Sequence, residues 1–412
     1  MQAHMTKPRC VLITFDTHTP YLAFRVRALQ RAIEAQGLQE TIHLEVLLIA
    51  LEETSYQWAS GELSCLYGGV PVRALTDKFR GLGFRTWFRW TTIKTTFSLA
   101  WHYLKTRPQL AFVGGYDRPE SMIVALLSIF TRGRVGVLHD SRFNDAESYS
   151  KSIGLEFVKS FMMARYDFFM CPGRECAEYS RFLGGRKKPA YLGGWDVVDN
   201  EEIGRLAELA DSYAEILEHL GVGDGAPFFF MPIRFLPKKN AALVVAAFAR
   251  CHPRLSTPVR LIICGQGPLE QEMKDQISKL GMQDVVLLRP WLPYAQVPRA
   301  NRLSLALVLA SSHDQWGMTV NEALAAGAPV LCSSRAGAHE VVRNHWNGYT
   351  FHPWDEAHLA ELFHVLATDP ALVSRLRSQA ASSVENFSVR QWLEACAEEL
   401  PLNGKAALSV SV

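Results

Sequence analysis

The stretch of residues 304–340 constrains the fold of this chain more than any other. It reads SLALVLASSHDQWGMTVNEALAAGAPVLCSSRAGAHE. Its first apolar run, residues 305–310, is short and rich in Leu and Val, which is typical of a strand buried on both faces of a parallel sheet. A polar loop, residues 311–317, opens into a helix-forming segment, residues 319–326, which stops at a glycine before a second apolar run. The pattern predicts a βαβ unit.

Two carboxylates lie within this unit, Asp314 in the loop and Glu322 in the first turns of the helix. The residues that lead into the helix N-terminus are Trp316, Gly317, Met318 and Thr319. Unpaired N–H groups and the positive end of the helix dipole favour a phosphate there. The arrangement suits a nucleotide sugar, with the diphosphate on the amides and the carboxylates near sugar and ribose hydroxyls. Considered singly, Asp314 also fits a simple cap and Glu322 a solvated helix residue.

The composition is that of a globular protein with room for two domains, since 48% of the 412 residues are hydrophobic and 20% are charged. The formal net charge of +2 provides no general attraction to nucleic acid. The eight cysteines are scattered and form no Cys-x-x-Cys pair. We therefore expect reduced core thiols in a cytosolic protein, without a structural zinc.

The first half of the chain alternates between strand-like and helix-like segments. Its predicted strands lie at residues 10–15, 43–50, 110–113, 135–139 and 168–171. Such alternation predicts a doubly wound α/β domain. Ligands bind such sheets outside the carboxyl ends of the strands, which singles out the loop after Phe15 and residues 138–143.

The central unit resembles the signature of the retaining GT-B glycosyltransferases of family 4. The resemblance rests on an acid, seven residues and a Glu, followed by Ala-Leu-Ala-Ala-Gly-Ala-Pro-Val and a glycine-containing turn that ends at Glu340. The family usually has Glu in place of Asp314 and Gly-Phe-Gly in place of residues 315–317. The resemblance is strong over residues 232–351 and weaker before them. It implies an α/β GT-B fold with two Rossmann-like doubly wound domains that face each other across a cleft.

The resemblance also implies a division of the chain. Residues 1–195 are the expected acceptor-binding domain, residues 196–226 a linker region, and residues 227–385 the donor-binding domain. The C-terminal helix, residues 386–402, is expected to pack back on the first domain. The linker contains Asp-Val-Val-Asp-Asn, which is similar to the inter-domain crossing of bacterial relatives that build surface polysaccharides.

Four positions are the candidate catalytic residues: Arg234, Lys239, Asp314 and His139. Arg234 and Lys239 follow the strand predicted at residues 228–233 and, as in the family, are placed to bracket a diphosphate. The resemblance puts His139 close to the donor sugar, although a strand-end histidine is also compatible with a purely structural hydrogen bond.

Other residues are candidates for binding the donor or the acceptor. Arg289 and Trp291 stand where relatives hold the nucleotide base, and they join Glu322 and residues 316–319 as donor-binding candidates. Asp16 and His18 occupy the loop in which many relatives have a glycine-rich, phosphate-contacting segment, so they are candidates for an acceptor or phosphate loop. The Gly-Gln-Gly-Pro turn at residues 265–268 is expected to be structural.

The expected chemistry requires neither a metal nor a cofactor. The sequence has no Asp-x-Asp motif, so the leaving diphosphate is expected to rest on Arg234, Lys239 and helix N–H groups. The resemblance implies transfer, with retention, of a hexose-type sugar from a UDP or GDP donor to a lipid-linked or oligosaccharide acceptor in polysaccharide or glycolipid synthesis. Two alternatives remain open: a non-catalytic nucleotide-sugar-binding partner protein and a GT-B nucleotide-sugar epimerase.

Residues 73–107 favour contact with a membrane surface. They contain eight basic residues, one acid and eight aromatic residues. A basic, aromatic-rich helix suits the interface of an anionic membrane, although a packed helix with a solvated basic face also fits. Binding of single-stranded nucleic acid is a weaker fit because no recognised motif accompanies it. With no signal peptide and no apolar run of about 18 residues, we expect a cytoplasmic protein held peripherally at the inner face of the cell membrane.

Overall fold

The computed structural model describes residues 9–16, 19–53, 66–79, 89–143, 153–209 and 213–402. The chain forms two compact units. The first comprises the described parts of Met1–Phe143, Glu147–Val197 and Val389–Val412, and the second comprises those of Val198–Ser388. The chain therefore builds most of the first unit, then the second, and returns to the first.

The first unit contains a parallel seven-stranded sheet. Its strands are β1 (Arg9–Phe15), β2 (Ile42–Glu53), β3 (Val72–Phe79), β4 (Leu110–Gly114), β5 (Arg134–Leu138), β6 (Phe168–Cys171) and β7 (Ala190–Leu192). Their order in the sheet is β3-β2-β1-β4-β5-β6-β7. In the register of the central strands, Ile13 pairs with Val46 on one side and with Phe112 on the other.

Helices cover both faces of this sheet. They are α1 (Pro20–Ala35), α2 (Trp90–Thr106), α3 (Pro119–Thr131), α4 (Ile153–Met163), α5 (Arg174–Gly184) and α14 (Val389–Glu399). Successive strand side chains point to opposite faces. Ile13 accordingly packs in the core with α1 and α14, whereas Leu12 packs in the core with α2 to α5.

The second unit contains a parallel six-stranded sheet. Its strands are β8 (Phe228–Pro232), β9 (Arg260–Cys264), β10 (Val286–Arg289), β11 (Ala306–Leu309), β12 (Val330–Ser333) and β13 (Gly348–Phe351). Their order is β10-β9-β8-β11-β12-β13. Strands β8, β11 and β12 are buried along their whole length, which explains their continuous apolar sequences.

Eight helices lie in the described part of the second unit, and three of them begin at an aspartate cap. They are α6 (Asn200–Ala207), α7 (Tyr213–Leu220), α8 (Ala241–Cys251), α9 (Glu270–Lys279), α10 (Val297–Leu303), α11 (Met318–Ala325), α12 (Glu356–Thr368) and α13 (Pro370–Ala380). The Asp199 carboxylate accepts a hydrogen bond from the Glu202 N–H at 3.0 Å, and Asp355 and Asp369 cap α12 and α13 in the same way.

Each sheet reverses its strand order at one point, between β1 and β4 in the first unit and between β8 and β11 in the second. Both sheets are therefore doubly wound, which confirms the predicted α/β class. In such sheets the crevice at the reversal, beyond the carboxyl ends of the strands, is the usual ligand site.

One local prediction is wrong. The basic segment 73–107 was expected to be helical, but its first residues form β3, an edge strand that pairs with β2. The segment's helix, α2, begins only at Trp90, and residues 80–88 lie outside the described part of the chain. An edge strand accommodates charged residues such as Asp77 because one of its sides faces solvent.

The expected linker, residues 196–226, belongs to the second unit from Val198 onward and contains α6 and α7.

Within the described residues, no helix combines the length and apolar character needed to cross a bilayer.

Candidate functional site

The reversal point of the second unit brings together two residues that the sequence singled out. Lys239 lies in a short 3₁₀ turn, Pro237–Lys239, after β8, and Asp314 lies in the loop after β11. The Lys239 Nζ is 2.5 Å from Asp314 Oδ2, and Ser311 Oγ donates to the same oxygen at 3.1 Å. Arg234 is half-buried two residues beyond the end of β8.

The Asp314 carboxyl is held ionised. Burial by itself raises its pKa, but the Lys239 ammonium, together with Lys238 and the Ser311 hydroxyl, outweighs burial, so the pKa lies below the ordinary value of 3.8. At neutral pH the free protein therefore has a formed Lys239–Asp314 ion pair at the reversal point.

Asn240, which the sequence analysis did not single out, holds the two loops together. Its backbone is left-handed, with φ of 57°, a conformation that Asn tolerates better than most residues. Its Nδ2 donates to the Ala310 carbonyl at 3.3 Å and to the Pro353 carbonyl at 2.7 Å. The Ser312 N–H also donates to the Lys238 carbonyl, at 2.9 Å. These bonds fix the position of Lys239 relative to Asp314.

The Gly-Gln-Gly-Pro turn shapes the loop that contains Arg234. The Phe235 N–H donates to the Gln266 carbonyl at 3.0 Å. A Cβ added to Gly265 would lie 1.8 Å from the Ile233 carbonyl oxygen, so no larger residue fits. The glycine thus allows the backbone after β9 to approach the Arg234 loop.

The N-terminus of α11 adjoins the Asp314 loop. Gly317 precedes the helix with φ of 104°, and a Cβ at this position would lie 2.6 Å from the Leu309 side chain. Met318 and Thr319, both half-buried, begin the helix. The turn after β12 clamps the loop, because the Gly337 N–H donates to the Asp314 carbonyl at 3.1 Å.

The side chains of Trp316 and Glu322 are buried in the interior of the second unit. The Trp316 Nε1 donates to Asn321 Oδ1 at 3.0 Å, and its ring stacks on Phe387 with 5.8 Å between centroids. Trp316 therefore anchors the loop. Glu322 is buried beside Tyr294, and burial together with this carboxylate raises the pKa of Tyr294 well above its ordinary value.

The two candidates for holding the base differ in their surroundings. The Arg289 Nε donates to the Leu220 carbonyl at 3.1 Å, at the C-terminus of α7. The Trp291 side chain is exposed and follows β10 by two residues.

In the first unit, Asp16 follows β1 and pairs with Arg118, which follows β4, so this ion pair spans the reversal point of that sheet. His18 lies outside the described residues. His139 is buried one residue beyond β5, with its Nε2 2.8 Å from Ser180 Oγ and its ring edge-on to Tyr116.

Residues 213–383 match the family model described as glycosyl transferases group 1. A D-inositol 3-phosphate glycosyltransferase of Streptomyces bingchenggensis is 29% identical over 186 residues, which are 43% of this chain and 41% of the relative. An alpha-monoglucosyldiacylglycerol synthase of Streptococcus pneumoniae is 24% identical over 181 residues, again 41% of that relative. The chain thus spans about two fifths of the length of these curated relatives.

Among solved structures, HepE of Anabaena in complex with UDP and glucose superposes with a TM-score of 0.70 at 18% identity, covering 95% of this chain and 99% of that one. Sucrose-phosphate synthase of Thermosynechococcus elongatus gives 0.73 at 14% identity, covering 95% and 98%. Together with the matched family, these similarities confirm the resemblance to GT-B glycosyltransferases and the fold class of two Rossmann-like units.

Proposed function

We propose that this protein transfers a hexose-type sugar, with retention, from a nucleoside-diphosphate sugar to a lipid-linked or oligosaccharide acceptor. The observation that carries the proposal is the Lys239–Asp314 ion pair at the reversal point of the second sheet, beside the N-terminus of α11. This ion pair lies within the segment that matches the group 1 glycosyl transferases.

The positive groups of this region suit a leaving diphosphate. Lys239 supplies a point charge, Arg234 a planar donor, and the first turn of α11 its backbone N–H groups. Stabilisation of the developing charge by such fixed donors lowers the barrier without a metal ion. When Lys239 turns to the diphosphate, the Asp314 carboxylate becomes available to accept hydrogen bonds from sugar hydroxyls. The departing phosphate then takes the acceptor's proton on the same face of the sugar.

A lipid-linked acceptor suits the surface of the first unit. Trp90, Phe97 and Trp101 on α2 are 78%, 72% and 74% exposed. Spacings of seven and four residues place them on one side of the helix, while Leu99 and Tyr103 are buried in the core. Exposed lysines, Lys94 and Lys105, accompany the aromatic residues.

The neighbouring helices extend this surface. The exposed large apolar side chains of α2 to α5 together make up this surface. Its further members are Leu104, Leu126, Ile129, Phe130, Phe157, Val158, Phe161 and Phe182. All four helices pack on the same face of the sheet. Aromatic side chains with lysines suit the interface of an anionic membrane, and the Streptococcus pneumoniae relative is named for a diacylglycerol glycolipid.

The test is transfer by the full-length chain in the presence of a chelator. The chain is incubated with UDP- or GDP-sugars and anionic vesicles that contain diacylglycerol, and nucleoside diphosphate and glycolipid are quantified. We expect release of nucleoside diphosphate with one of the donor sugars. Lys239→Ala should lower kcat by about 100-fold or more, whereas Lys279→Ala, an exposed lysine on α9, should leave it unchanged.

Other outcomes would replace the proposal. Donor binding without release or transfer would favour a non-catalytic partner protein. Conversion of the donor sugar without an acceptor would favour an epimerase. Activity that is abolished by the chelator and restored by Mg²⁺ would contradict the metal-independent mechanism.

A further inference from the structure

Three metal-ligating side chains meet in the first unit, among the residues that the structure describes: His139, Cys171 and Cys176. Their ligand atoms all lie within 4.8 Å of one another, and all three residues are buried. His139 follows β5, Cys171 ends β6, and Cys176 is in the first turn of α5. β5 and β6 are parallel neighbours, so their carboxyl ends lie at the same edge of the sheet.

The hydrogen bonds of Ser180 determine which histidine nitrogen is available. The Ser180 hydroxyl donates to the Cys176 carbonyl at 2.7 Å, so its lone pairs face His139 Nε2 at 2.8 Å. Nε2 therefore bears the proton and donates to Ser180. The lone pair remains on Nδ1, which lies 3.8 Å from Cys176 Sγ, while the same sulfur is 4.0 Å from Nε2. A histidine whose second nitrogen donates to a neighbouring oxygen is the usual arrangement of a metal ligand.

We propose that His139 Nδ1, Cys171 Sγ and Cys176 Sγ bind one soft divalent cation, with zinc as the ion of choice. Thiolate and imidazole ligands select zinc over magnesium or calcium. Zinc bond lengths place ligand atoms about 3.3–3.8 Å apart. The three ligand atoms lie within 4.8 Å of one another, so their side chains draw together by up to about 1 Å when the ion binds. Binding displaces the two thiol protons to solvent.

Charge balance supports a divalent ion at this buried position. Two thiolates neutralise a 2+ ion, and a neutral cluster avoids the large cost of burying a net charge. The ion would join the ends of β5 and β6 to the start of α5. His139 would then be a metal ligand, which differs from the sugar contact implied by the family resemblance.

Metal content is the direct test. The full-length chain is purified under reducing conditions from zinc-supplemented cells, desalted and submitted to elemental analysis. We expect about one zinc ion per chain. Cys171→Ala and Cys176→Ala should each retain less than about a tenth of this. Cys251→Ala, which removes a buried thiol of the second unit, should retain all of it.

Two further readouts remain informative if a cysteine variant fails to fold. Replacement of zinc by Co²⁺ in the wild-type chain should give visible absorption with thiolate-to-cobalt charge-transfer bands. Ser180→Ala keeps all three ligands but removes the acceptor of the Nε2 proton, so it should weaken zinc binding by about 10- to 100-fold.

The proposal is overturned if the folded wild-type chain retains no zinc and develops no cobalt spectrum after dialysis against Co²⁺. It is also overturned if mass spectrometry finds Cys171 and Cys176 joined in a disulfide in the protein as purified, with a mass lower by two hydrogen atoms that reductant restores.

Discussion

At the scale of single residues, the candidate donor site is defined by one ammonium group and one carboxylate. The 2.5 Å contact between Lys239 and Asp314 keeps both charges satisfied in the free protein and positions the lysine at the reversal point of the sheet. The Ser311 hydroxyl and the Asn240 amide complete the support of this pair. The site is therefore pre-organised by groups that need not touch the ligand.

The low pKa of Asp314 leads to a prediction about pH. Because the folded pKa lies below the ordinary value of 3.8, the ion pair contributes its full stability above that pH. The contribution is lost as the pH falls through the folded pKa. Asp314→Asn should lower the free energy of unfolding by about 1–3 kcal/mol at pH 6, and the gap from wild type should close towards pH 3.

Denaturant unfolding of both proteins over this pH range measures the gap. Asp275→Asn, an exposed carboxylate on α9, is the control and should stay within about 0.5 kcal/mol of wild type throughout. A gap at Asp314 that stays constant from pH 6 to pH 3 would mean that the carboxylate gains nothing from Lys239.

Sequence spacing and the family resemblance singled out Arg234, Lys239 and Asp314, and all three stand in loops at the carboxyl ends of strands. Asn240 was missed because its two acceptors lie 70 and 113 positions away. A sequence also does not show which way a side chain points. Trp316 lies in the predicted binding loop, yet its ring is buried against Phe387.

At the scale of elements, α2 is apolar on two sides, one packed in the core and one exposed. The sequence revealed the basic and aromatic character of residues 73–107 but not the strand that occupies their start. An edge strand with charged residues has no clear alternation of apolar and polar positions, so its pairing with β2 became apparent only in three dimensions.

The exposed side of α2 predicts binding to anionic vesicles. Trp101→Ala and Phe97→Ala together should lower the partition coefficient on phosphatidylglycerol vesicles by about tenfold or more. Loss of each ring removes buried apolar area that contributes about 1 kcal/mol or more to the free energy of membrane binding. Co-sedimentation measures this. Trp354→Ala, an exposed tryptophan of the second unit, is the control.

Vesicle binding that is unchanged in the double variant would remove α2 from the proposed contact. Binding that Trp354→Ala lowers equally would assign it to exposed aromatic residues in general. Binding that is equally strong on neutral vesicles would exclude a role for the lysines beside the aromatic residues.

At the scale of the whole molecule, the chain leaves the first unit after Val197 and returns to it at Val389. The returning helix α14 brings Trp392 into the core of that unit, where the side chain is fully buried. Its Nε1 donates to the Arg25 carbonyl at 3.1 Å, and its ring lies 5.2 Å from that of Phe112. The first unit therefore requires the end of the chain to complete its core.

Trp392→Ala should destabilise the first unit by about 3–5 kcal/mol because it opens a large cavity. Hydrogen exchange should show faster opening of β1 and β4, while amides of β8 and β11 in the second unit keep their protection. Trp354→Ala should leave exchange unchanged in both units. Equal acceleration in β8 and β11 would show that the two units unfold as one.

The most direct test of the central claim is the thermal stability of the purified chain with nucleotides and nucleotide sugars in the presence of EDTA. A ligand at about 100 times its dissociation constant adds about 2.7 kcal/mol. We predict a rise in Tm with one nucleoside diphosphate and its sugars, absent in Arg234→Ala and Lys239→Ala but retained in Arg250→Ala and Lys279→Ala. No rise with any of them, or the same rise in all four variants, would contradict a donor site at the Lys239–Asp314 pair.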